Sequence, residues 1–271
     1  MKKMLKLLSS RKVIIGMIHV RALPGTPHNS LSVSQIRDLT LKEAEIYKNA
    51  GIDAIMLENM HDIPYLNNKV GPEITSAMAV ISSAVKKEID LPCGIQILAG
   101  ANKEALAVAK SGDLDFIRVE NFAYAHVADE GIMESCAGEL LRYRKYLDAE
   151  GISVFTDVKK KHSSHAITSD VTLKDAIHTH QFFLSDGIII TGTSTGIQPS
   201  KEDLLLAEEA TSLPIIIGSG ITIDNIPIYW DLADGFIIGS HFKEAGKWDN
   251  HLSSQRVAKF LKLVDTLRVS K

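Results

Sequence analysis

Eight short apolar runs, each of strand length and each parted from the next by an amphipathic stretch, constrain this chain more than any other feature. They fall at 13–18, 52–57, 93–98, 115–119, 152–158, 187–191, 214–218 and 235–239. A short run that is apolar on both of its alternating faces is a strand covered on both sides, as in a parallel sheet. Between the runs, Ile74, Ala77, Met78, Ile81 and Val85 follow the helical period, as do Val257, Phe260, Leu261, Val264 and Leu267. Strand alternating with helix eight times in 271 residues, about 34 residues per unit, predicts an α/β chain folded as a single (β/α)8 TIM barrel. No linker or low-complexity segment divides it. Residues 13–271 therefore read as one barrel domain, and residues 1–12, MKKMLKLLSSRK, as a lead-in helix plugging the barrel floor.

Composition narrows the function. A chain that is 45% hydrophobic can bury a large core, and a net charge of -3 is too near neutral for a nucleic-acid binder. The apolar runs fall far short of the roughly 20 residues needed to cross a bilayer, so no integral membrane segment is expected. The basic N-terminus carries too little apolar sequence for a signal peptide. Cys93 and Cys136 form no CxxC and no disulfide framework, which makes the reducing cytoplasm the expected setting.

A weak repeat supports the eightfold count. Strands two, four, six and eight each open after an Asp-containing turn, in GIDAIML, GDLDFIR, SDGIIIT and ADGFIIG, whereas strands three and seven open with Leu91-Pro92 and Leu213-Pro214. This alternation suggests a barrel assembled from two-unit pieces, although Asp and Pro are common before strands in any case.

Barrel chemistry sits at the C-terminal ends of the strands, where alternate side chains face the pore. The apolar phase of each strand predicts that His19, Glu58, Gln96, Arg118, Glu120, Asp157, Lys159 and, next along, Lys161 gather at the mouth. An apolar barrel has little structural use for so many ionisable groups, because burying charge is costly unless it is paired. An internal salt-bridge network, Arg118 with Glu120 and Asp157 with Lys159, is the plainer alternative. Three chemistries fit the set. Glu58 or Glu120 could act as a general base with His19 as the partner acid. Asp157 and Lys159 could form a proton-delivering pair, or the lysine a Schiff base. Glu58, Glu120 and Asp157 could instead hold a divalent ion; no other cofactor is expected. His162 and His165, three apart in a loop, read as surface histidines rather than a zinc pair. His126, Asp129 and Glu130 read as solvated loop groups.

The last two runs end in PIIIGSGI (214–221) and ADGFIIGSHF (233–242). Glycines leading from a strand into a helix free backbone amides for an anion, and the loops after strands seven and eight are a frequent phosphate site in such barrels. Gly218, Ser219, Gly220, Gly239 and Ser240 are the expected phosphate ligands, with Thr222 capping the following helix. The GTSTG loop after strand six (192–196) adds Thr191 and Thr193 to Gln96 and Arg118 as expected substrate contacts. Tight turns alone would also account for these glycines.

The runs GMIHVRALPGTP, DAIMLEN, LDFIRVENFAYAHVADEGI, TDVKKKHS, IIITGTSTG, IIGSGIT and FIIGSHFK resemble, in order and over nearly the whole chain, the BtpA/SgcQ family. The resemblance implies a TIM barrel of the ribulose-phosphate-binding type. Cyanobacterial members are linked to photosystem I accumulation, and others sit among sugar-transport and sugar-metabolism genes. Many members carry Asn-Asp where this chain has Ala99-Gly100-Ala101, and an Asn at the position of Glu120. The expectation is an enzyme acting by acid–base chemistry (isomerase, lyase or hydrolase) on a small phosphorylated sugar or nucleotide-like metabolite. A non-catalytic binding or assembly factor of the photosystem I biogenesis type is the alternative. Barrels of this size often dimerise, which leaves a homodimer open.

Overall fold

In a computed structural model that describes residues 2–192, 194 and 196–269, eight parallel strands close a barrel in sequence order, the last pairing with the first. They are β1 (Val13–His19), β2 (Ala54–Glu58), β3 (Cys93–Gln96), β4 (Phe116–Val119), β5 (Ser153–Asp157), β6 (Gly187–Ile190), β7 (Ile215–Ile217) and β8 (Gly235–Ile238). All eight expected strands form, their ends moved by two residues at most. This is the (β/α)8 TIM barrel that the alternation of strands and helices predicts.

Two separate apolar layers hold the barrel. Ile15, Met17, Ala54, Met56, Phe116 and Phe155 face the axis, where Met4 and Leu8 of the lead-in helix α1 (Lys3–Ser10) join them and stopper the floor as expected. Room for the floor is made at Gly94, where a Cβ would come within 2.2 Å of the Phe116 ring. Outside, the strands' alternate residues pack against the helices, among them α3 (Pro72–Glu88) and α9 (Ser254–Val269), whose buried residues include Met78, Ile81, Phe260 and Val264. No helix of the described residues is long and apolar enough to cross a membrane.

The repeated aspartates have a mechanical role. Each reaches back to a backbone amide at the start of the preceding strand. Asp53 accepts from Ile14 at 2.8 Å, Asp115 from Cys93 at 2.9 Å, Asp186 from Val154 at 2.8 Å and Asp234 from Ile215 at 3.0 Å. Each also meets a cation: Arg11 and Arg268 at Asp53, Lys86 at Asp115, Arg144 and Lys2 at Asp186, Lys12 at Asp234. The prolines belong to the same scheme, since Pro92 and Pro214 lack an N–H but offer their carbonyls to Ile55 and Ile188. A twofold period at the lower rim thus satisfies amides that the sheet would leave unpaired.

One expected element differs. Thr222 caps no helix: after β7 the chain makes a turn in which Asn225 Oδ1 accepts from the Thr222 amide at 2.7 Å. Only one helical turn, α8 (Ile226–Tyr229), follows, opened by Pro227.

Removing one rim carboxylate should unpair both an amide and its cations. Asp53→Ala is expected to lower the unfolding free energy by about 2–4 kcal/mol in a urea titration, while Asp265→Ala, on the exposed face of α9, changes it little.

Candidate active site at the barrel mouth

Strand alternation that buries the floor also aims the next inward residues upward. His19 continues the phase of Ile15 and Met17, Glu58 that of Ala54 and Met56, Arg118 that of Phe116, and Asp157 that of Phe155. Gln96 stands in register with Glu58. Above them opens a cavity of about 420 Å³, lined by His19, Glu58, Arg118 and Glu120 on one side and by the loops after β7 and β8 on the other.

Charge here is managed in two ways. Arg118 forks onto Asp157, its Nε and one terminal nitrogen donating at 3.1–3.2 Å, and Glu120 meets Lys160 at 3.2 Å. Burial pushes the Asp157 carboxyl up and Arg118 opposes that push. His19 is kept neutral instead, and Glu58 is pushed towards its neutral form. Burial, then the positive Lys243, drives His19 down to about 3. Its Nδ1 lies 2.9 Å from the Trp248 carbonyl, which can only accept, so Nδ1 carries the proton and Nε2 presents a lone pair. That Nε2 lies 3.8 Å from Glu58, whose carboxyl burial pushes up. In this tautomer His19 offers an acceptor, Nε2, where the sequence predicts an acid.

Lys159 does not join the mouth. The strand ends at Asp157, and Lys159 adopts a left-handed φ of 48°, which breaks the inward alternation and sends its amine to the Val171 carbonyl at 2.6 Å. Lys160 and Lys161 line the cavity in its place, the latter acting on Glu58 and Asp157. The acids do not converge on a metal either, since Asp157 turns to Arg118 and Glu120 to Lys160. Among the described residues no group of three or more His, Cys, Asp or Glu could hold an ion. His126 is buried against the His165 ring, 5.4 Å between centroids, rather than solvated, and Asp129 and Glu130 reach the cavity rim.

On the opposite side, Gly218, Ser219, Gly220, Gly239 and Ser240 all line the cavity. Gly220 has a φ of +73°, and a Cβ there would stand 2.1 Å from the Gln198 nitrogen, so only glycine fits this turn. The Ser219 hydroxyl is spent on structure, donating to Ile197 at 2.9 Å and accepting from Gly192 at 3.2 Å, which leaves its main chain facing the cavity. The amides of Ser240 and His241 open a short 3-10 turn, where the first amides have no partner within the turn. Arg256, at the start of α9, lines the same corner with its Nε on the His241 carbonyl at 2.6 Å. Sequence reasoning missed Arg256, and also Trp248, whose ring lies 4.9 Å from that of His61 and roofs the His19 side. A small antiparallel sheet of His126–Ala128, Gly131–Met133 and Ser163–Ser164 stands over the β4 and β5 ends. Thr191 lies just behind Gly218, and Thr193 falls outside the described residues.

A histidine kept neutral by the fold leaves a measurable sign. Between about pH 6.5 and about pH 3 the unfolded chain binds a proton at His19 that the folded chain refuses, so acidification costs stability. The wild type should lose more stability than His19→Gln between about pH 6.5 and about pH 4, by up to about 1.4 kcal/mol per pH unit, in urea titrations. Equal losses would mean that His19 is protonated in the fold.

A mitochondrial protein of Caenorhabditis elegans is 49% identical over 265 residues, covering 96% of this chain and 95% of its own. The photosystem I biogenesis protein BtpA of a Synechocystis species is 33% identical, covering 92% and 86%. Among solved structures, (S)-3-O-geranylgeranylglyceryl phosphate synthase from Thermoplasma acidophilum, in complex with sn-glycerol-1-phosphate, superposes with a TM-score of 0.60 at 16% identity, over 96% of this chain and 97% of that one. The model of the BtpA family matches residues 10–266, and the chain belongs to that family.

Proposed function

We propose that this protein is an enzyme acting on a small phosphorylated metabolite by acid–base chemistry, in the isomerase, lyase or hydrolase class. The reading is carried by one arrangement: a single cavity with amide-rich glycine loops and Arg256 at one side and a buried layer of His19, Glu58 and Arg118 at the other. The phosphate would lie on the main chain of 218–220 and 239–240, with Arg256 as counter-charge. The glycerol phosphate held by the Thermoplasma barrel supports this choice of cargo.

The chemistry follows from the protonation states. Glu58, raised towards neutrality by burial, exchanges a proton with the substrate, because a group whose pKa approaches the working pH is the better catalyst. His19, at about 3, is a poor base and instead accepts a hydrogen bond from a substrate hydroxyl through Nε2. Arg118, fixed by Asp157, stabilises negative charge that develops on the substrate. Cys93 and Cys136 take no part, since burial pushes both thiols up to about 11. The proposed setting is the cytoplasm. A second reading, a non-catalytic assembly factor, draws on the name of the Synechocystis relative.

A ligand that binds only the folded state stabilises it by RT ln(1 + [L]/Kd), so about 10 mM inorganic phosphate is expected to raise Tm by several degrees, and Arg256→Gln to remove most of that rise. With a substrate found from a sugar-phosphate panel, Glu58→Gln should cut kcat about 100-fold or more while keeping the ligand-induced rise. An assembly factor would show no response to any phosphate and would capture a protein instead.

A further inference from the structure

We infer that the end of the ligand remote from its phosphate is a hydroxylated carbon chain, read by Gln96 on β3 as a specificity-determining residue. The inference rests on the proposed phosphate-bearing substrate and goes further by naming what the phosphate is attached to.

Gln96 is 1% exposed, and neither its Nε2 nor its Oε1 has a hydrogen-bond partner among the described residues. Native interiors rarely leave a whole side-chain amide unpaired, because each unmet group costs stability. Its direction is set by the strand: Cys93, Ile95 and Ile97 pack in the outer layer, which turns Gln96 into the barrel. There it sits between two residues that line the cavity. Glu58 is its register partner on β2, and beyond the Ile95–Ile117 pair its neighbour on β4 is Arg118.

Among the described residues five further buried side-chain atoms share its condition, and two of them, Glu120 Oε2 and Thr191 Oγ1, are close to this end of the barrel. Glu120 lines the cavity, while Gln96 and Thr191 stand behind residues that do. Arg118 spans the barrel from β4, so that a Cβ on Gly218 would stand 3.3 Å from its Nη2 and 3.0 Å from Thr191 Cγ2.

The unmet groups define what would satisfy them. Gln96 needs a donor and an acceptor, the Glu120 oxygen needs a donor, and the threonine hydroxyl can take either. A carboxylate brings acceptors only and would leave the Gln96 carbonyl and the Glu120 oxygen without a donor. An amine brings donors only, and an alkyl chain brings neither. Hydroxyl groups, each giving and taking, satisfy all three. A polyol phosphate is thus the substrate class that fits.

The test compares inorganic phosphate with ribose 5-phosphate, ribulose 5-phosphate and fructose 6-phosphate, and with butyl phosphate and 3-phosphoglycerate, by calorimetric titration of wild type and Gln96→Met. At least one polyol phosphate is expected to bind about tenfold or more tighter than butyl phosphate and 3-phosphoglycerate. Gln96→Met should lose that margin, keep the wild-type affinity for inorganic phosphate, and melt at the wild-type temperature or above when unliganded. Polyol phosphates no better than butyl phosphate or 3-phosphoglycerate, or bound equally by the variant, would overturn the inference alone. A variant that melts lower or fails to fold would give the amide a structural role and also overturn it. No binding of any phosphate would sink the phosphate-bearing substrate itself, and this inference with it.

Discussion

Charge buried at the open end of an apolar barrel is the constraint on which this molecule turns. Below Met17, Met56, Phe116 and Phe155 the axis is hydrocarbon, and one residue pair higher it is ionisable. A buried charge survives only if it is matched or discharged. Arg118 and Asp157, Glu120 and Lys160, and Lys243 with Glu43 take the first course. His19 takes the second, and burial shifts Glu58 towards it. Both line the cavity, Glu58 as the group shifted towards proton exchange at neutral pH and His19 as a neutral acceptor, whereas the matched ones hold their shape. Stability and reactivity at the mouth thus come from the same desolvation, applied to differently partnered residues.

The lower rim answers the same problem with fixed pairs. Asp53, Asp115, Asp186 and Asp234 each bind a strand amide and a cation, so every second strand is tied to its predecessor before the sheet ladder begins. With α1 closing the floor beneath the Phe116 and Phe155 rings, the bottom is filled by packed hydrocarbon. The loops at the top are then free to carry function, since their conformation does not hold the barrel shut.

The fold was legible because its signals are local. Period-two alternation and apolar run length fixed the strands and the inward phase of His19, Glu58, Gln96, Arg118 and Asp157, and the Gly-Ser pairs marked the loops of the anion corner. What was not legible depended on events beyond the strand ends. Alternation predicted Lys159 inward, but a left-handed residue resets the phase, and Lys160 and Lys161 take the place. Thr222 has the chemistry of a helix cap, yet the helix after it starts only at Ile226, beyond the reach of its hydroxyl. Arg256 and Trp248 reach the cavity from the long loop after β8 and the helix behind it, where no periodic pattern relates them to partners far off in sequence. The tautomer of His19 depends on a main-chain carbonyl of that loop, which residue types alone do not reveal.

The central claim is that an anion rests at the corner made by the loops after β7 and β8, facing Glu58 and His19 across one cavity. A crystal structure of the protein soaked in inorganic phosphate tests it most directly. The account predicts tetrahedral density about 3 Å from the main-chain nitrogens of Gly220 and Ser240 and from the Arg256 guanidinium. Density clustered instead on Lys160 and Lys161, with the Arg256 corner left to solvent, would contradict it.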